Sequence, residues 1–173
     1  LARRDFTINA MAYSVEEGLC DPFGGREDLA RGVVRAVGEP LRRFGEDALR
    51  ILRLYRFAAR FGFAIDEATE AAAKQLASHL DCVSAERIEE ELNKLLAAPQ
   101  PGAYLEPEVL AFVLPELPPE ELTKARRRID ALPAGTEQVS ARWAALLLPL
   151  GEAGARKALK RLKSSNARID GAV

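Results

Sequence analysis

Apolar side chains recur along most of this chain at the three-and-four spacing of an amphipathic helix. Between Glu46 and Phe61, the residues Ala48, Ile51, Leu52, Tyr55, Ala58 and Ala59 fall on one face, and Gly62 follows as a C-terminal stop. Asp66 stands where a cap belongs for a helix running to about Leu80, with Ala72, Leu76 and Leu80 turned inward. Ser84 opens another, in which Ile88, Leu92, Leu95 and Leu96 form the stripe and Pro99 ends it. Three more stripes follow: Leu122, Ala125, Ile129 and Leu132; Val139, Trp143, Leu146, Leu147 and Leu150; Ala155, Ala158, Leu159 and Leu162. A helix between about Tyr104 and Leu114 is expected to be interrupted by Pro107.

Only the N-terminal part departs from this period. Arg3–Ala12 reads as a helix, with Phe6 and Ala10 on one side and Ile8, Met11 and Ala12 on another. Tyr13–Val15 and Val33–Val37 then read as short strands on either side of the turn Asp21-Pro22-Phe23-Gly24-Gly25. The expected fold is mainly α, with a small α+β portion at the N-terminus. The Pro- and Gly-rich stretches Ala98–Gly102 and Pro115–Pro119 are the candidate linkers.

Composition narrows the chemistry. With 173 residues, 48% of them apolar and 29% charged, the chain has the balance of a globular protein that buries a sizeable core. No apolar run approaches the ~18–20 residues of a membrane span. Two cysteines, Cys20 and Cys82, and the single histidine His79 exclude multi-histidine zinc sites and a disulfide scaffold. The chain opens on Leu1-Ala2-Arg3-Arg4 without a signal peptide and reads as part of a longer protein. The formal charge of −1 is unevenly spread: residues 1–60 carry +2, 61–123 carry −10 and 124–173 carry +7. Basic segments at both ends leave a polyanionic partner open, although solvated helix faces account for the same charges.

Three constellations carry candidate chemistry. On a continuous helix, Glu46, Arg50 and Arg53 share a narrow arc with Asp47 at its edge. Asp47 supplies acceptors and Arg50 a planar fork of donors, a pair suited to the hydrogen-bonding edge of a nucleobase. Glu46 is spaced to brace Arg50 through an i, i+4 ion pair. Surface salt bridges are the simpler reading of the same residues. Arg3-Arg4-Asp5 with Asn9 suits a phosphorylated sugar or polyanion. The segment Asp21–Leu29 is a shaped turn that opens a helix, with no Gly-Lys-Ser/Thr to make it a phosphate loop. No Asp-x-Asp pair occurs, and the acidic pairs Glu106/Glu108 and Glu89/Glu91 read as surface.

In this order the three segments resemble the class II tRNA nucleotidyltransferases, the family of CCA-adding enzymes and bacterial poly(A) polymerases. Arg3-Arg4-Asp5-Phe6-Thr7-Ile8-Asn9-Ala10-Met11 resembles the family's Arg-Arg-Asp motif, Asp21–Leu29 its head-to-neck turn, and Glu46-Asp47-x-x-Arg50 its Glu-Asp-x-x-Arg motif. Ser84-Ala85-Glu86-Arg87-Ile88 with Glu91-Leu92 is similar to the following neck helix. Pro115-Glu116-Leu117 and Leu159–Asn166 are similar to the helical body.

The resemblance implies residues 1–41 as the end of a nucleotidyltransferase head, 42–100 as a helical neck and 101–173 as an RNA-binding body. It implies a cytoplasmic enzyme that adds nucleotides (CCA, CC or A) to the 3′ ends of tRNA or another RNA. Arg4, Asp5 and Asn9 would hold the sugar of ATP or CTP. Asp47 and Arg50 would template the base, with Glu46 as brace and Arg53 toward phosphate. Arg156, Lys157, Lys160, Arg161 and Lys163 would meet RNA. Mg²⁺ would be bound by head residues outside this chain, which alone is expected to be inactive. Some relatives carry a His-Asp phosphohydrolase, whose motif is missing here. The alternative is a helical RNA-binding or scaffold module with no enzymatic role.

Overall fold

The computed structural model describes residues 1–173, which form ten α-helices joined by short 3₁₀ turns and two minimal sheets. The N-terminal part holds the antiparallel pair β1 (Ala12–Ser14) and β2 (Gly18–Cys20), then helix α1 (Gly25–Arg31). Strand β3 (Val33–Val34) follows and pairs in parallel with β4 (Ala64–Ile65). Between them run α2 (Pro40–Glu46) and α3 (Leu49–Phe61). After β4 come α4 (Glu67–Gln75), α5 (Ala85–Leu96), α6 (Pro107–Val113) and α7 (Leu122–Asp130). Helices α8 (Val139–Leu147), α9 (Gly151–Arg161) and α10 (Asn166–Ala172) complete the chain.

The helical stripes do bury what their spacing selects. Ile88, Leu92, Leu95 and Leu96 of α5 are inside, as are Leu122, Ala125 and Ile129 of α7 and Trp143, Leu146 and Leu147 of α8. The N-terminus is different. Arg3–Ala12 is not a helix but an extended stretch with one 3₁₀ turn at Thr7–Asn9. Its backbone is claimed by a neighbour: Thr7 N–H donates to the Arg35 carbonyl and Val37 N–H to the Asp5 carbonyl, and Phe6 bridges Ala36. Once those sheet-like bonds form, residues 5–7 cannot also run through an α-helix.

The helix expected from Glu46 is broken at Asp47, whose φ of −155° is extended. Asp47 Oδ1 accepts the Leu49 N–H at 3.1 Å, so the carboxylate caps the start of α3 instead of riding inside a longer helix. Pro107 opens α6 as its first residue rather than interrupting it. Asp66 caps α4 through the Thr69 N–H at 3.1 Å, whereas the Ser84 side chain caps nothing. The short helices α2 and α10 were not indicated by the apolar spacing.

The two candidate linkers are packed. One continuous apolar core of 39 residues reaches from Phe6 to Ala172. Pro101 and Gly102 are buried, and the Gly102 N–H donates to Asp130 Oδ1 at 2.9 Å. Leu117 is buried, and Glu116 pairs with Arg161. Arg142, fully buried, gathers the carbonyls of Leu96, Ala98 and Leu132 around its guanidinium and so ties the end of α5 to α7 and α8. Burial disfavours its charge and pulls its pKa down, but three carbonyl acceptors keep the group in place. Arg142→Met should therefore cost about 3 kcal/mol in urea unfolding, because it strands those carbonyls. The exposed Leu148→Met should change stability by less than about 0.5 kcal/mol in the same assay.

Candidate nucleotide-binding pocket

Where the N-terminal segment meets the start of α3, a cavity of about 230 Å³ is lined by Arg3, Arg4, Asp5, Asp47, Leu49, Arg50, Arg53 and Arg87. Five of the seven residues expected to meet a nucleotide are therefore together: Arg4, Asp5, Asp47, Arg50 and Arg53. Glu46 and Asn9 stand behind them. Glu46 Oε2 accepts from Arg50 Nη1 at 2.8 Å and from Arg43 Nη1 at 3.0 Å, and the Arg50 bond with the neighbouring arginine charges holds its carboxyl below the usual range. Arg50 is further fixed by the Arg43 carbonyl at 2.8 Å and the Arg3 carbonyl at 3.3 Å. Its Nε and part of Nη2 remain free to donate.

Asp5 is not open to a ligand in the way Arg4 is. It is only 6% exposed. One oxygen accepts the Phe6 N–H at 3.0 Å and Asn9 Nδ2 at 3.4 Å, and the other accepts Arg53 Nε at 2.8 Å. Burial pushes its pKa up, but the Arg53 hydrogen bond and charge outweigh that, and the net displacement is downward. Asp5 therefore orients Arg53, and Arg53 is turned toward carboxylates rather than left free for phosphate. On its other side Arg53 Nη1 lies 3.9 Å from Glu91 Oε1. Glu91, read as a surface acid from its spacing, is 4% exposed and also meets Arg56 at 2.7 Å. Glu106 also departs from the surface reading. It is half-buried beside Lys74, and burial with the neighbouring Glu108 carries its carboxyl up to about 7.

Arg87 was missed by the sequence reading. Its Nη2 donates to Asp47 Oδ2 at 2.9 Å. With Oδ1 on the Leu49 N–H, the Asp47 carboxylate keeps two of its roughly four lone-pair sites for another donor. The only hint in the chain was an exposed arginine in the first turn of α5, since nothing in its spacing points across 40 residues to Asp47.

The C-terminal basic group is arranged differently from the expectation. Arg161 forms a bidentate pair with Glu116, at 2.6 and 2.8 Å, and donates to the Val113 carbonyl. Lys163 pairs with Glu86 at 2.6 Å, and Arg156 with Asp170 at 3.3 Å. Only Lys157 and Lys160 of the five are exposed without an ion pair. The turn at Asp21–Gly25 is a capping device: Asp21 accepts the Gly25 and Arg26 N–H groups at 2.8 and 2.9 Å. A Cβ on Gly25 would strike the Thr7 carbonyl oxygen at 2.1 Å, so only glycine lets α1 lie against the N-terminal segment. No three His, Cys, Asp or Glu side chains are grouped to hold a metal ion, and no helix is long and apolar enough to cross a membrane.

Two family models match: the "Poly A polymerase head domain" over residues 1–35, and the "Probable RNA and SrmB- binding site of polymerase A" over residues 62–119. The CCA-adding enzyme of Streptococcus sanguinis is 41% identical over 173 residues, covering 95% of this chain and 42% of that enzyme. That of Geobacillus stearothermophilus is 40% identical over 177 residues, covering 98% of this chain and 43% of that enzyme. Among solved structures, the Bacillus stearothermophilus CCA-adding enzyme in complex with CTP superposes with a TM-score of 0.80 at 37% identity, over 99% of this chain and 44% of that one. The Thermotoga maritima CCA-adding enzyme complexed with tRNA gives 0.74 at 28%, over 98% and 45%. The chain spans less than half the length of these relatives.

The Asp5–Arg53 pair makes stability acid-sensitive. Because the Asp5 pKa is depressed in the fold, its contribution is complete above the ordinary carboxylate range and is lost as pH falls through the depressed value. Asp5→Asn should cost about 2 kcal/mol at pH 7. The difference from the unsubstituted chain should shrink as urea unfolding is repeated below about pH 4.

Proposed function

Since the chain belongs to the family of CCA-adding enzymes and poly(A) polymerases, we propose that it carries the nucleotide-selecting part of an enzyme that extends tRNA 3′ ends. The observation that carries this reading is the 230 Å³ pocket, in which an acceptor, Asp47, and a forked donor, Arg50, face one space beneath two further arginines, Arg3 and Arg4.

The chemistry asked of these side chains is recognition. Asp47 accepts a hydrogen bond from the exocyclic amine of cytosine or adenine, and Arg50 donates to the adjacent ring nitrogen or carbonyl oxygen. GTP and UTP present the opposite polarity at one or both positions and leave a charged group unpaired, which is what excludes them. Pre-organisation comes from the surroundings. Glu46 and the Arg43 and Arg3 carbonyls fix the Arg50 guanidinium, and Arg87 with the Leu49 N–H fixes the Asp47 carboxylate. Arg4, unpaired like its neighbour Arg3, is the cation for sugar or phosphate, and Asp5 with Asn9 acts through Arg53. Residues 1–41 serve as the end of the head, 42–100 as the neck and 101–173 as the body. Mg²⁺ would supply Lewis-acid stabilisation of the transferring phosphoryl group, and its ligands are not among these 173 residues. RNA contact from the C-terminal region falls to Lys157 and Lys160, with Arg156, Arg161 and Lys163 held mainly by acids. That distribution takes support from the scaffold alternative, which needs all five cations free. The setting is cytoplasmic.

In an enzyme that joins this neck to a complete head, Asp47→Ala should lower the preference for ATP and CTP over GTP by about 10- to 100-fold, the worth of one paired base edge. RNA affinity should stay within about twofold. Unchanged selectivity would remove the templating role. Incubated alone with Mg²⁺, nucleotides and tRNA, the 173-residue chain should incorporate nothing; measurable transfer would place the metal ligands inside it.

A further inference from the structure

The acids in the middle of the chain are not accounted for by the nucleotide pocket. Residues 61–123 carry a net charge of −10, and part of that excess converges where α3, β4, α4 and the start of α6 meet. A cavity of about 270 Å³ opens there, with Tyr55, Phe63, Ile65, Glu70, Tyr104 and Glu106 in its walls. Three aromatic rings, an aliphatic side chain and two carboxylates therefore share one small space.

Two demands of this cavity are unmet by the protein. The first is a hydrogen bond. Tyr55 is 3% exposed and lines the cavity, and its buried hydroxyl has no partner. Burial, with the charges of Glu106, Glu70 and Glu108, pushes its pKa up, so it stays a neutral O–H that faces carboxylates. The Tyr104 hydroxyl, by contrast, donates to the Phe63 carbonyl at 3.2 Å. The second demand is charge. Lys74 of α4 lies 3.5 Å from Glu106 and 3.6 Å from Glu70, longer than a close charged hydrogen bond. One lysine among Glu70, Glu106 and Glu108 leaves negative charge over, and Arg126 of α7 acts on Glu108 only through space.

We propose that this cavity binds a small primary alkylammonium, its N–H groups donating to the Tyr55 hydroxyl oxygen and to the Glu106 and Glu70 carboxylates, and its stem lying against Phe63 and Ile65. An unpartnered phenol oxygen calls for a donor, and surplus carboxylate calls for a cation. Aromatic walls suit an alkyl stem and a positive charge together. The same surplus repels phosphates, and no three His, Cys, Asp or Glu side chains are grouped for a metal ion, which leaves an organic cation. A volume of about 270 Å³ admits a short amine. Glu106 gives the site a pH dependence. Burial, then the hydrogen bond and charge of Glu108, carry its carboxyl up to about 7 against the pull of Lys74. A bound ammonium favours the ionised carboxylate, so binding strengthens as pH rises through that value. None of this depends on the nucleotide pocket.

The test titrates n-butylammonium into the whole 173-residue chain at low salt, followed by ¹H–¹⁵N correlation spectra. Saturable shifts should appear at the amides of residues 62–65 and 103–106. Affinity should rise about tenfold from about pH 6 to about pH 8 as Glu106 ionises. Glu106→Gln should remove that rise and weaken binding about tenfold at the upper pH. Tyr55→Phe should weaken binding at least about fivefold with no loss of thermal stability, because its hydroxyl has no bond in the fold to lose. Tetramethylammonium, which has no N–H to donate, should bind at least about fivefold less tightly than n-butylammonium. Absence of saturable shifts at these amides would overturn the proposal, as would unchanged affinity in Tyr55→Phe or equal affinity for tetramethylammonium. Nα-acetyl-lysine amide should bind no more tightly than n-butylammonium; a preference of about tenfold for it would overturn the free-amine assignment in favour of a partner's lysine side chain. Asp47→Ala should leave these affinities unaltered, so a failure of base selection and a failure of this cavity are read in different assays.

Discussion

Two carboxylates removed from water, Asp5 and Glu91, clamp α3 from opposite sides through Arg53 and Arg56. A buried carboxylate without a partner costs several kcal/mol, so each acid can be inside only while an arginine of α3 reaches it. That condition fixes the rotation of α3 about its axis and its distance from both the N-terminal segment and α5. Arg50, a turn earlier, is thereby directed at the pocket. The apolar core supplies most of the adhesion among these elements, but it is non-directional and does not choose which way the arginines point.

The same arrangement explains why so few of the charges are free. Around the nucleotide pocket Arg50, Arg53 and Arg87 are each paired to an acid, which spends their Coulombic attraction on orientation before any ligand arrives. A guanidinium already held by Glu46 and two carbonyls would lose little freedom on meeting the base proposed for it, and its geometry would discriminate between bases rather than adapt to each. Arg3 and Arg4 are left unpaired there. The end of α9 and the residue two positions beyond it serve to pin α6 and α5: Arg161 reaches the Val113 carbonyl and Lys163 reaches Glu86.

Much of this was legible in the chain. The stripes of α5, α7, α8 and α9 depend only on the helical period, and those residues are inside. Asp47 and Arg50 were legible as a donor and acceptor pair, and Glu46 as the brace, because these relations are local. What failed was non-local. The segment around Phe6 is extended because residues 35–37 take its hydrogen bonds, and no window of ten residues contains that information. Asp47 breaks the helix that its apolar neighbours favour because its own carboxylate caps the next one. Glu91 reads as one more acid in a run of three until α3 is placed against it, and Arg87 meets Asp47 only through tertiary packing. Arg156, Arg161 and Lys163 failed for the mirror-image reason: the acids that hydrogen-bond them lie 14 to 77 positions away.

The claim on which the rest stands is that Asp47 and Arg50 jointly read a base. Arginine Nε–Hε resonances of the ¹⁵N-labelled chain offer the most direct view, recorded while CTP, ATP or GTP is titrated in at equal concentrations. The Arg50 resonance, and that of Arg87 through its bond to Asp47, should move with CTP and ATP and stay in place with GTP, while Arg142, buried among carbonyls, should not respond to any of them. Equal displacement by all three nucleotides, or none by CTP, would contradict the account.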